Sequence, residues 1–277
     1  MYCRAKIINN NVISVINEQQ KELIIMGKGI GFQAKSGDPV DKTKIEKIFT
    51  LNSQETTERF RTLLREVPIE VMEVTEQIIQ HAKMAYKKDL NDIIYVALTD
   101  HINFAIERVK KGYEIKNALL WEIRKLYQDE FAIGQHAIEI IEKKLGITLP
   151  EDEAAFIALH IVNAELNEEV PNVINITKLT KHILKIVKYH FNTDLDEDSL
   201  NYFRFITHLK FFCQRLINRT FLSSDDDTFF DIVKEKHKDS FACTEKIKEY
   251  IKKQYDYELT NEEMLYLTIH IDRVIHR

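Results

Sequence analysis

The second half of this 277-residue chain repeats the first around two histidines, so whatever fold the first copy adopts, the second must adopt too. Leu98-Thr99-Asp100-His101-Ile102-Asn103-Phe104-Ala105-Ile106-Glu107-Arg108 returns as Phe205-Ile206-Thr207-His208-Leu209-Lys210-Phe211-Phe212-Cys213-Gln214-Arg215, with His, Phe and Arg in the same register. A second segment, Leu149 to His160 through Glu153, Phe156, Ile157 and Leu159, returns as Leu259 to His270 through Glu263, Tyr266, Leu267 and Ile269. The offsets are 107 and 110 residues, so the register slips by only three between the two pairs. A module of roughly a hundred residues can bury a core of its own. Two such modules with two histidines each direct attention to the histidines.

Composition narrows the class. Hydrophobic residues make up 44% of the chain against seven Gly and four Pro, the profile of a globular, mostly helical protein. No run of about twenty apolar residues occurs, and the N-terminus lacks the pattern of a signal peptide. The expectation is therefore a cytoplasmic protein without membrane insertion. Cys3, Cys213 and Cys243 are odd in number and unclustered, which fits a reducing compartment and speaks against a disulfide frame or thiolate metal site. The net charge of −5 is unevenly spread: residues 1–50 hold eight Lys/Arg against five Asp/Glu, so a basic head sits on an acidic body. That is the charge pattern of a polyanion-binding domain joined to a regulator that does not bind the polyanion.

The head reads as β. Lys6-Ile7-Ile8 and Val12-Ile13-Ser14-Val15-Ile16 flank Asn9-Asn10-Asn11, and Asn tolerates the positive φ that a tight hairpin turn demands. Residues 18–20 separate this hairpin from a third strand at residues 22–26, and a fourth is expected at 45–51 after the Ser36-Gly37-Asp38-Pro39 turn. Four of the seven glycines lie between positions 27 and 37, where flexible backbone lets a partner approach. From about Thr56 the apolar spacing turns helical, with helices expected near 69–88, 92–110, 117–146, 150–167, 175–190, 196–219, 226–254 and 260–276. Residues 168–172, with Pro171, read as the linker between the copies. Three domains follow: 1–55, 60–169 and 173–277.

For any one helical histidine, packing is the ordinary explanation. Four at repeated positions call for chemistry, although a duplicated core would also duplicate its fillers. Neutral imidazole can accept a phosphoryl group, bind a metal or act as a general base. The metal reading is weakened because Asp100-His101 is not mirrored in the second copy, which has Thr207-His208, and no His-x-x-x-His or Cys/His cluster occurs. An active site is weaker again without a glycine-rich phosphate loop, and no cofactor signature is present. Arg108 and Arg215 lie two helical turns beyond His101 and His208 on the same face, placed to pair a phosphate. In the head, Asn9, Asn10, Asn11, Lys28 and Phe32 form a polar, basic and aromatic set of the kind that reads RNA. The plain alternative for that set is a hairpin turn and a core Phe.

Taken together, Asn9-Asn10-Asn11-Val12-Ile13-Ser14-Val15, Met26-Gly27-Lys28-Gly29-Ile30-Gly31-Phe32, Leu98-Thr99-Asp100-His101-Ile102 and Leu159-His160-Ile161-Val162-Asn163-Ala164-Glu165 resemble the BglG/SacY/LicT transcriptional antiterminators over essentially the whole chain. The resemblance implies an α+β multidomain protein: a small antiparallel β RNA-binding domain followed by two homologous all-α helical-bundle domains that answer to the sugar phosphotransferase system (PTS). It implies a homodimer whose head clamps a leader mRNA hairpin, prevents the overlapping terminator and lets transcription run into sugar genes, β-glucoside genes among the candidates. RNA contacts would fall on Asn11, Gly27, Lys28 and Phe32, and phosphorylation on His101, His160, His208 and His270. The first module would be inhibited through the sugar-specific enzyme II and the second activated by the phosphocarrier HPr. Heads of the family often carry Arg where this chain has Lys28, which keeps the charge and loses the bidentate fork.

Two other classes compete. A helical metal-dependent phosphohydrolase would use the histidines with Asp100 or Asp152, and a DNA-binding regulator would pair its sensor modules with a duplex-reading head. No helix-turn-helix stands out in the head.

Overall fold

The computed structural model describes residues 4–17, 22–49, 54–168, 170–220 and 228–276. The separator at 18–20 and the far end of the expected fourth strand at Leu51 lie outside them. The chain divides into two compact units, Met1–Glu168 and Glu169–Arg277.

In the first unit, β1 (Arg4–Asn9), β2 (Val12–Ile16), β3 (Glu22–Met26) and β4 (Lys47–Phe49) form an antiparallel sheet in chain order. β2 is buried on both faces from Val12 to Val15, and alternation sends its side chains to two different cores. Val12, Ile24, Met26 and Phe49 meet Phe60 and Leu64 of α1 (Gln54–Glu66). Ile13, Val15, Leu23 and Ile25 meet Ile30 and Val40 from the glycine-rich loop. That loop is therefore the second lid of the sheet.

The hairpin turn departs from expectation. Neither Asn10 nor Asn11 has a positive φ. The β1–β2 register instead shifts between Ile7 and Asn9, and the Asn9 side chain accepts from the Asn11 amide at 2.8 Å, an Asx turn that closes the hairpin by other means. The fourth strand is also shorter than expected. A 3-10 turn at Lys42–Lys44, capped by Asp41, occupies the approach to it.

The rest of the unit is α2 (Ile69–Ala85), α3 (Ile93–Lys110), α4 (Leu120–Leu126), α5 (Gln128–Leu145) and α6 (Glu151–Leu166). α5 and α6 pack closely because Gly134 allows it: a Cβ there would lie 2.1 Å from the Ala154 carbonyl oxygen. α5 ends on Gly146 in the left-handed conformation.

The second unit repeats the plan in α7 (Val170–Phe191), α8 (Leu200–Ile217), α9 (Thr228–Lys236), α10 (Lys238–Tyr255) and α11 (Asn261–Ile275) around Val173, Ile176, Leu179, Ile183, Phe205, Leu209, Phe212, Ile247, Leu267 and Ile271. Two expected helices are each broken in two, at Tyr127 and at His237, which are equivalent positions at the 110-residue offset. Sequence periodicity misses the break for a physical reason. Amide bonds run into and out of both residues (Tyr127 to Ile123, Phe131 to Tyr127, His237 to Val233, Phe241 to His237), so the apolar face carries on through the bend. α7 likewise begins earlier than expected, inside the 168–172 segment, with Pro171 in the first turn where its missing N–H has no helical partner to lose.

Candidate RNA interface and paired-histidine sites

Two stretches of the head that are sixteen residues apart in sequence meet at one end of the sheet. The Gly27 amide donates to the Asn11 carbonyl at 2.9 Å, the Gly31 amide to the Asn10 carbonyl at 2.9 Å, and the Gly29 amide to the Asn11 side-chain oxygen at 2.8 Å. The Asn11 side chain therefore has its carbonyl oxygen committed within the protein, leaving the amide nitrogen as the group it can offer a ligand. Gly27 has a steric reason to be glycine, since a Cβ would lie 1.6 Å from the Lys44 carbonyl oxygen. Around this core of backbone bonds, Asn10 and Lys28 are exposed, and Phe32 is 60% exposed. A core role for Phe32 is excluded by that exposure. An aromatic face, an ammonium and amide groups thus share one surface, the combination that stacks an unpaired base and meets its phosphate.

In the first unit, α3 supplies His101 and Arg108, and α6 supplies Glu153 and His160. The two rings lie with centroids 4.7 Å apart. Glu153 is almost wholly buried and faces both α3 side chains: Oε2 is 3.2 Å from His101 Nε2, and Oε1 accepts from Arg108 Nη2. The His101 contact is one of proximity rather than an aligned hydrogen bond, and Arg108 Nε is left without a partner. Burial works against the Glu153 carboxylate, yet His101 and then Arg108 outweigh it and hold its pKa below the usual range. His160 keeps partial surface exposure, but burial and then the nearby His101 push its pKa down to about 3. Its ring is neutral at physiological pH, and Nδ1 is buried without a partner.

The second unit uses the same positions and a different wiring. His208 and His270 face each other with centroids 4.1 Å apart. Tyr266 replaces Phe156, and its hydroxyl is 2.7 Å from His208 Nδ1. Glu263, the counterpart of Glu153, turns away from the histidines. One oxygen accepts from the Tyr257 hydroxyl at 2.8 Å, and the other from the Thr260 amide at 3.1 Å, closing a capping box at the start of α11. Arg215 lies over the Tyr266 ring at 5.7 Å, and its Nε and Nη2 are buried without a hydrogen-bond partner. Burial, and then His208 and Arg273, lower the His270 pKa to about 4.

The structure thus brings each predicted histidine pair together and links each arginine to its pair through one residue, Arg108 through Glu153 and Arg215 through Tyr266. Glu153, Glu263 and Tyr266 were visible only as repeat matches, and nothing in their spacing told which groups they would hold. Asp100 is exposed, and Asp152 is tied to the Asn117 amide at 2.6 Å and to Lys116, so neither is placed as a metal ligand to the histidines. Among the described residues no three His, Cys, Asp or Glu side chains gather as a metal site, and no helix is long and apolar enough to cross a membrane.

The PRD domain family matches residues 76–164 and 181–274, and the CAT RNA binding domain family matches residues 5–58. Transcription antiterminator LicT of Bacillus subtilis is 61% identical over 98% of each chain. The Beta-glucoside operon antiterminator of Dickeya chrysanthemi is 50% identical over 98% of this chain and 95% of its own. Among solved structures, the crystal structure of GlcT CAT-PRDI aligns with a TM-score of 0.52 at 38% identity, covering 59% of this chain and 98% of that one.

Proposed function

The chain belongs to the BglG/LicT family of transcriptional antiterminators, and on that premise we propose how its head and its two histidine modules divide the work. It is an RNA-binding antiterminator under PTS control. Asn11, Gly27, Lys28 and Phe32 form the RNA surface, acting in a homodimer that grips a hairpin of the leader mRNA and so keeps the overlapping terminator from forming. Phe32 stacks on an unpaired base, Lys28 meets phosphate, and Asn11 offers its amide nitrogen to a base edge. Gly27 acts by allowing the loops to close.

His101, His160, His208 and His270 accept phosphoryl groups, the first pair inhibiting through the sugar-specific enzyme II and the second activating through HPr. Each phosphoryl group brings about −1.5 to −2 charge into a half-buried site, which is enough to bias one dimer arrangement over another. The modules thereby govern whether two heads are held together.

The observation that carries this reading is the meeting of the Asn9–Asn11 turn with the Gly27–Phe32 loop, with Phe32 turned outward. A gel shift of the full chain against the leader hairpin tests it. Phe32→Ala is expected to weaken binding by about tenfold or more, the size of one lost base stack, and Asn11→Ala to weaken it as well. Equal binding by wild type and both variants, or preference for duplex DNA, would remove the head from RNA capture.

A further inference from the structure

The two histidine sites share their His, His, Arg and Glu positions, yet in only one of them does the carboxylate meet the arginine. In the first unit the Glu153 carboxylate sits between His101 and Arg108. In the second, Glu263 is engaged by Tyr257 and Thr260, and Arg215 keeps two buried N–H groups unpartnered. The sequence explains the difference at three aligned positions. Pro150 stands where Thr260 stands and has no amide N–H, so the first module cannot close the capping box through Glu153. Ile147 stands where Tyr257 stands and has no hydroxyl to hold a carboxylate. Phe156 stands where Tyr266 stands, so His101 receives no hydroxyl either and meets the carboxylate instead. A buried guanidinium with no carboxylate on it is an anion receptor in waiting, whereas Arg108, although its Nε is unpartnered, already holds a carboxylate through Nη2.

We propose that the modules are opposite anion receptors: Arg215 is open to a phosphoryl group on the His208–His270 pair, while Glu153 occupies Arg108 and must be displaced by a phosphoryl group on the His101–His160 pair. This rests on the phosphorylation reading above and supplies its sign. The transfer itself is the same in both sites. A neutral imidazole nitrogen attacks phosphorus on the phosphorylated donor protein, the donor's bond to phosphorus breaks with its electron pair returning to the donor side chain, and the ring's remaining N–H proton is free to pass to that donor. The incoming charge then meets unlike surroundings. In the second unit it is captured by Arg215 and ties α8 to α11. In the first it lies against the Glu153 carboxylate and breaks the α3–α6 clasp. One modification therefore stiffens one module and loosens the other.

The test uses the full chain phosphorylated with HPr, enzyme I and phosphoenolpyruvate, with mass spectrometry to locate phosphate and hydrogen exchange to read the helices. Phosphate on His208 or His270 is expected to slow exchange in α8 and α11 by about tenfold, the effect of one charge-assisted contact. Arg215→Gln abolishes that gain, and Arg215→Lys, which keeps the charge, retains part of it. Phosphate on His101 or His160, delivered by the enzyme II, is expected to speed exchange in α3 and α6, and Glu153→Gln to remove that acceleration. Phosphate on the second pair with no gain in protection, or a gain that survives in Arg215→Gln, overturns the receptor model alone. Absence of phosphate from all four histidines overturns the phosphorylation reading on which it rests.

Discussion

At the scale of single residues, one histidine of each pair is held neutral by its surroundings. His160 is neutral because burial and the facing His101 depress its pKa to about 3 from an ordinary 6.5, and His270 is likewise lowered to about 4. A depressed histidine contributes stability above its unfolded pKa and loses it as pH falls through the folded value. Acidification from about 6.5 towards 3 is thus expected to destabilise the first unit through His160. Thermal melts across that range check it: His160→Gln, which cannot titrate, should lower stability at neutral pH and flatten its fall on acidification. An unchanged pH slope in the variant would place the acid sensitivity elsewhere. The neutral state also matters for chemistry, since only an unprotonated nitrogen carries the lone pair that attacks phosphorus.

At the scale of elements, geometry follows from a few contacts that sequence patterns carry unequally. The α5–α6 packing depends on Gly134, whose absent Cβ leaves room for the Ala154 carbonyl. Gly134→Ala must push the two helices apart, and a loss of about 1–3 kcal/mol is expected, read from the denaturant midpoint of the first unit. Strands and most helices were legible because their apolar periods are strong, and the duplication made the histidine pairs legible without any structure. The breaks at Tyr127 and His237 were not, because the hydrogen-bond ladder persists across them. Nor was the different fate of Glu153 and Glu263. Both sit at the third position of a helix, and Pro150 against Thr260, Ile147 against Tyr257 and Phe156 against Tyr266 distinguish their surroundings. The Asn turn was legible as a turn but not in its backbone conformation, because an Asx turn with a register shift satisfies the same residues without positive φ.

At the scale of the whole molecule, a basic head that holds RNA is joined to two histidine modules that decide when it does so. In the proposed scheme the duplicated modules act in opposite directions, and the rewired carboxylate, on Arg108 in one and on Tyr257 and Thr260 in the other, is what distinguishes them. The most direct measurement is readthrough of the leader terminator in a single-round transcription reaction with purified chain. The account predicts that His208→Asp with His270→Asp, which place a fixed carboxylate before Arg215, raise readthrough and dimerisation together. It also predicts that His101→Ala relieves the inhibition imposed by phosphorylating enzyme II, and that Phe32→Ala removes readthrough in every background. Readthrough that is unaltered by the paired Asp substitutions, with dimerisation unaltered as well, would contradict control by the second module.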